Sequence, residues 1–141
     1  MCHWDAVWRP AAYNSLARYK NEAQEHINRD WGGGARGDGL MYHFKIDNVG
    51  EIFWCRDLED LLWAAGPANA TSIHICMDGT VGQTPTAAQA AGLNRLLYEL
   101  CYKHPEFPAG RGNVKGHKEV MATQCPGDSF GMPLVRAFRG F

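Results

Sequence analysis

Three side chains that bind metals well sit at opposite ends of this 141-residue chain. His117 and Cys125 lie eight positions apart, in Gly116-His117-Lys118-Glu119-Val120 and Cys125-Pro126-Gly127. His3 lies in Cys2-His3-Trp4-Asp5-Ala6. Imidazole and thiolate are borderline-to-soft donors that suit Zn2+. Two histidines and one cysteine would hold the ion and leave the fourth tetrahedral position to water, as in a catalytic rather than a structural zinc site. A fold that uses all three must bring its first residues beside its C-terminal loops. Spacing alone leaves a plainer reading open, in which His117 is a capped loop residue, Cys125 a buried thiol and His3 a frayed terminal residue.

Composition narrows the class. The length is that of one domain. Such a chain buries most of its apolar surface and needs neither a disulfide nor a metal to fold. The formal charge of −1, with no Lys/Arg run, excludes a nucleic-acid binder driven by phosphate contacts. No apolar stretch approaches the ~20 residues that cross a bilayer, so no membrane insertion is expected. Met1 to Asp5 lack the basic and apolar regions of a signal peptide, so synthesis in a cytoplasm is expected. The five cysteines, at 2, 55, 76, 101 and 125, are odd in number, widely spaced and without C-x-x-C. That pattern is not a disulfide framework and fits the reduced thiols of a cytosol. Cys55, Cys76 and Cys101 lie in apolar segments and read as small hydrophobes. Cys125 differs, since it precedes Pro-Gly among polar residues.

Periodicity predicts the elements. Residues 1–6 read as a strand end running into a loop. A helix is predicted over 11–30, with Leu16, Tyr19, Ala23 and Ile27 on its buried face and His26 turned to solvent. It stops by Gly32-Gly33-Gly34, which opens a loop over 32–39. A strand over 41–47 alternates Tyr42, Phe44 and Ile46 with His43, Lys45 and Asp47. A turn at 48–50 leads to a second strand over 51–56, so the two form a hairpin. Residues 58–65 are a short helix or irregular, and 71–77 are a strand. Thr84 as N-cap and Pro85 at the first helical position open a helix to about 103, burying Leu93, Leu96, Leu97 and Leu100. Residues 105–113 are a loop, 114–117 a short strand and 133–138 a helical turn or two. Interleaved strands and helices imply an α/β single domain, a central mixed β-sheet flanked by helices.

The ordered series His3-x-x-Ala6, Tyr42-His43-Phe44, Ser72-Ile73-x-Ile75-Cys76, Thr84-Pro85 with Gln89, Gly116-His117-x-Glu119-Val120 and Cys125-Pro126-Gly127 resembles the zinc-dependent N-acetylmuramoyl-L-alanine amidases. That group includes small phage lysozyme-type amidases and the peptidoglycan recognition proteins. The resemblance covers nearly the whole chain, so residues 1–141 are expected to be one amidase domain with zinc in a surface groove. It implies His3, His117 and Cys125 as zinc ligands. It implies Tyr42 as the active-site tyrosine and Thr123 as the residue facing the substrate carbonyl or oxyanion. The expected substrate is peptidoglycan, glycan plus stem peptide, cut at the amide between N-acetylmuramic acid and L-alanine. The expected protein is a monomeric phage or prophage endolysin, made in a bacterial cytoplasm and delivered to the wall. It is either a compact whole enzyme or a catalytic domain of a longer lysin.

Three departures qualify the match. Only Met1 and Cys2 precede His3, where relatives have a full strand. Trp63 stands where relatives carry a groove histidine in His-Ala-x-Gly-x-Asn. His74 stands where they commonly have a small residue, and alternation turns it to the same side as Ser72 and Cys76, where it would touch substrate or serve as a substitute ligand. Two other functions remain: a module that binds peptidoglycan without cutting it, and a zinc peptidase acting within the stem peptide. A complete ligand set with Cys125 argues against the first, and the absence of H-E-x-x-H against the second.

Overall fold

The computed structural model describes residues 1–7, 13–31, 37–80, 82–104 and 110–140. The predicted start of the first helix at 11, most of the glycine loop and residues 105–109 lie outside them.

Among the described residues, four three-residue strands form one mixed sheet: β1 (Cys2–Trp4), β2 (Phe44–Ile46), β3 (Ile52–Trp54) and β4 (Ile75–Met77). Their order is β1-β4-β2-β3. β4 runs parallel to both β1 and β2, whereas β2 and β3 pair antiparallel as the predicted hairpin. The register aligns His3 with Cys76 and Cys76 with Lys45. Alternation therefore puts these three on one face and Cys2, Trp4, Phe44, Ile46, Ile75 and Met77 on the other.

That second face is the apolar core, closed by α2 (Ala87–Tyr98) through Leu93, Leu96 and Leu97 and by α3 (Met132–Arg139) through Val135 and Phe138. Each such side chain taken out of water contributes about 1.5–3 kcal/mol. The N-cap of α2 is Thr86, two residues beyond the expected Thr84. Thr86 has glutamine three positions on. Its Oγ1 accepts from Gln89 N–H at 3.0 Å while Gln89 Oε1 accepts from Thr86 N–H at 3.0 Å, a capping box that Thr84 cannot form. The helix continues as a π-type turn, Glu99–Lys103, so its predicted end holds.

The opposite face is covered by α1 (Ser15–Asn28), capped by Asn14. The helix buries Tyr19, Glu22 and His26, and Leu16 is exposed. The predicted apolar stripe is thus rotated, and the cause lies beneath it. Lys45 is fully buried on β2, with Nζ 2.5 Å from Glu22 Oε2, 3.2 Å from Asp78 Oδ1 and 3.6 Å from Asp5 Oδ2. A buried ammonium requires partners more strictly than a leucine requires burial.

Two predicted strands shrink. Residues 71–74 stay outside β4, because the 3-10 turn Gly66–Thr71 runs into them. Residues 114–117 make a single bridge, Cys2 to Gly116, instead of a strand. Residues 58–65 hold no helix.

Candidate metal centre

β1 sends Cys2 and Trp4 into the core, so His3 between them faces the other way and is itself buried. His117 opens a 3-10 turn, His117–Glu119, laid against β1 through Cys2 N–H to Lys115 C=O at 2.8 Å. Gly116 permits that approach, since a Cβ there would collide with Met132 and crowd Pro126. Glu119 Oε2 accepts from Gly116 N–H at 2.7 Å, and Arg139 of α3 forks onto both Glu119 oxygens while donating from Nε to Val114 C=O at 2.8 Å. The last turn of α3 thereby clamps the histidine loop. Lys118 N–H donates to Cys125 C=O at 2.7 Å, joining the His117 turn to the cysteine segment. Gly127, in the left-handed region at φ +80°, lets Trp4 pack where a Cβ would lie 2.5 Å from the indole.

These supports bring the three sequence-predicted donors together. Among the described residues, His3, His117 and Cys125 are the group of three whose ligand atoms all lie within 4.8 Å of one another. His3 Nδ1 is 3.8 Å from Cys125 Sγ, and the two imidazole rings are 4.6 Å apart. A tetrahedral zinc with ordinary bond lengths separates its nitrogen and sulfur donors by about 3.6 Å. The His3–Cys125 spacing and the donor chemistry therefore fit Zn2+. Burial, then the neighbouring His74 and His117, holds His3 well below the usual histidine range, and burial lowers His117 as well. Both shifts favour the neutral ring, which has a lone pair to give. Burial pushes the Cys125 thiol up to about 12, so a cation that binds there must displace its proton. Trp4 N–H donates to Cys125 Sγ at 3.3 Å and stabilises the thiolate that results.

The other two predicted residues flank this group. Tyr42 packs its ring 5.4 Å from that of His3, and burial raises its phenol well above the usual range, so it stands as a hydrogen-bond donor. It lies two residues before β2, outside the strand expected to carry it. Thr123 is half-buried, and its Oγ1 accepts from Cys125 N–H at 3.2 Å, which leaves its own proton free to donate.

Sequence reasoning misplaced His26, singled out His74 without finding its partner, and missed the burial of Lys45. His26, expected at the solvent, is buried and accepts from Met41 N–H. His74 lies outside the three-donor group and is fully buried, with Nδ1 3.0 Å from His3 Nε2. Lys45 lies beneath Tyr42, its Nζ 5.8 Å from the ring. Burial opposes the Lys45 charge, but Cys76, Glu22, Asp78 and Asp5 around it raise its pKa above the usual lysine range. Cys76 is itself held as a thiol by burial, so the three carboxylates carry the effect. The available signal was a lysine in mid-strand between apolar residues; its partners Asp5, Glu22 and Asp78 are distant in sequence.

The four-stranded sheet between helical layers, with a His3, His117 and Cys125 group that could hold a cation, defines a single-domain α/β protein. The chain matches the family described as N-acetylmuramoyl-L-alanine amidase over residues 1–128, and it belongs to that family. Solved structures share the fold. The endolysin N-acetylmuramoyl-L-alanine amidase LysCS from Clostridium intestinale is 24% identical, with 96% of this chain and 78% of that one covered at a TM-score of 0.74. Drosophila peptidoglycan recognition protein SD is 19% identical, with 96% and 76% covered at 0.77. A Drosophila PGRP-LB variant in complex with tracheal cytotoxin is 18% identical, with 94% and 76% covered at 0.76. Comparison with curated proteins gives no match.

Proposed function

We propose that this chain is a zinc-dependent N-acetylmuramoyl-L-alanine amidase that hydrolyses the amide between N-acetylmuramic acid and L-alanine in peptidoglycan. The observation that carries the reading is the 3.8 Å separation of His3 Nδ1 and Cys125 Sγ with His117 in reach, a donor set that leaves one tetrahedral position free. Membership of the amidase family supplies the reaction class. The recognition-protein and endolysin structures, one of them holding tracheal cytotoxin, support peptidoglycan as the substrate.

His3, His117 and Cys125 hold the ion. Zinc bound there supplies Lewis acidity and a water activated at neutral pH. The protein does the rest. Tyr42 and Thr123 donate O–H hydrogen bonds to the oxygen that becomes negative as the amide is attacked. One such donor lowers a barrier of this kind by roughly 3–4 kcal/mol. The elevated pKa of Tyr42 keeps its proton in place at neutral pH. The whole of residues 1–141 acts as one amidase domain, in a phage or prophage endolysin produced in the bacterial cytoplasm and acting as a monomer on the wall.

The test uses purified cell walls with and without a chelator. Amidase action lowers turbidity, exposes new L-alanine amino termini and releases intact stem peptides, and the chelator abolishes all three. Walls that are bound but never cut would make the chain a recognition module, and cleaved stem peptides would make it a peptidase.

A further inference from the structure

His74 belongs to none of the roles assigned so far, yet it is fully buried and its ring nitrogen faces a proposed ligand. His3 Nε2 and His74 Nδ1 are 3.0 Å apart. Two imidazole nitrogens at that distance share one proton, so one donates and the other accepts. The other nitrogen of His3, Nδ1, is the atom turned to Cys125 Sγ. A neutral His3 can offer the Nδ1 lone pair to a cation only when its proton sits on Nε2. His3 is then the donor and His74 Nδ1 the acceptor.

His74 is itself oriented. Its backbone N–H donates to His43 Nδ1 at 2.9 Å, and the two rings stack with centroids 5.7 Å apart and planes 21° apart. His43 Nδ1 accepts, so the His43 proton is on Nε2. All three rings are buried. The order runs from His43, which seats His74, to His74, which sets the tautomer and angle of His3.

We propose that His74 is the positioning residue of the zinc centre, a neutral imidazole that fixes His3 as an Nδ1 ligand by accepting its Nε2 proton. This rests on the reading of His3, His117 and Cys125 as zinc ligands. Metal-bound histidines usually direct this proton to a carboxylate, a carbonyl or water, and losing that partner costs about 10- to 100-fold in metal affinity. A carboxylate would lend the ion negative charge. Imidazole fixes the ligand without doing so.

The test measures Zn2+ affinity by chelator competition for the wild type, His74→Leu and His74→Asn, with the fold of each metal-free chain checked by circular dichroism. Asparagine keeps an acceptor oxygen near the Nδ1 position, and leucine does not. The expected result is an affinity loss of about 10- to 100-fold for leucine and recovery of most of it by asparagine. A second measurement needs no variant. Nitrogen NMR of the zinc-loaded wild type should show the His3 proton on Nε2 and a through-hydrogen-bond coupling between His3 Nε2 and His74 Nδ1. Equal zinc affinity in wild type and His74→Leu, or a His3 proton found on Nδ1, would overturn the inference and leave the amidase reading standing. A wild type that takes up no zinc would overturn both.

Discussion

Met41 N–H donates to His26 Nδ1 at 3.1 Å, so a histidine in α1 holds the loop that presents Tyr42. The His26 and Tyr42 rings also meet, with centroids 5.9 Å apart. Replacing His26 with leucine leaves the buried Met41 N–H without an acceptor, which costs about 1–3 kcal/mol. Wall lysis by His26→Leu should fall while zinc content stays at the wild-type level. Urea denaturation and metal analysis of one preparation check both halves, and lost zinc with unchanged stability would contradict the link.

The same histidine contributes to acid sensitivity, beside His3, His43, His74 and His117, which burial also lowers. Burial holds His26 below its ordinary value of 6.5. A base with a depressed folded pKa contributes stability above its unfolded pKa and loses it as pH falls further, since the unfolded chain then binds the extra proton. The urea midpoint should therefore drop from pH 7 to pH 5. His26→Leu should flatten that drop, which a pair of denaturation curves for each protein will show.

The Lys45 cluster governs the alkaline side. Lys45 is raised above its ordinary 10.5, and Tyr13 and Tyr19 are raised above 10.0 by burial and by Asp78. Above about pH 10 the folded chain keeps protons that the unfolded chain has released, so stability falls as pH rises. Lys45→Met leaves Glu22, Asp78 and Asp5 without their cation and should cost about 3–5 kcal/mol at neutral pH. A melting series from pH 7 to pH 11 on both proteins measures the two effects together.

Ligand and donor roles separate by metal content. His3→Ala, His117→Ala and Cys125→Ser should each lose zinc and lytic activity together. Tyr42→Phe should keep its zinc and lose about 100- to 1,000-fold in rate. Full zinc in any of the first three would remove that residue from the ligand set.

Much of this was legible in the sequence. The series from His3 to Cys125 gave the donor group, and turn and periodicity signals gave the hairpin, the helix that runs to Lys103 and the short helix near the C-terminus. The first helix was placed, but its buried face only in part: Tyr19 is buried as expected and Leu16 is not. Apolar periodicity favours Leu16 and Ile27, whereas the fold buries Glu22 and His26. Both are polar residues chosen by partners on other segments, Lys45 for one and Met41 for the other. A pattern within one element carries no record of such partners. His74 illustrates the limit. Alternation put it on the same side as Cys76, just before β4, but only the parallel register of β1 and β4 brings its ring to His3.

The centre draws its donors from the third residue and from position 125 of 141, and this separation has a consequence during synthesis. While the ribosome is still adding the middle of the chain, the first imidazole has emerged and its partners do not yet exist. A fragment that ends before Cys125 lacks one of the three donors, so on the proposed reading it would hold no zinc and cut no wall.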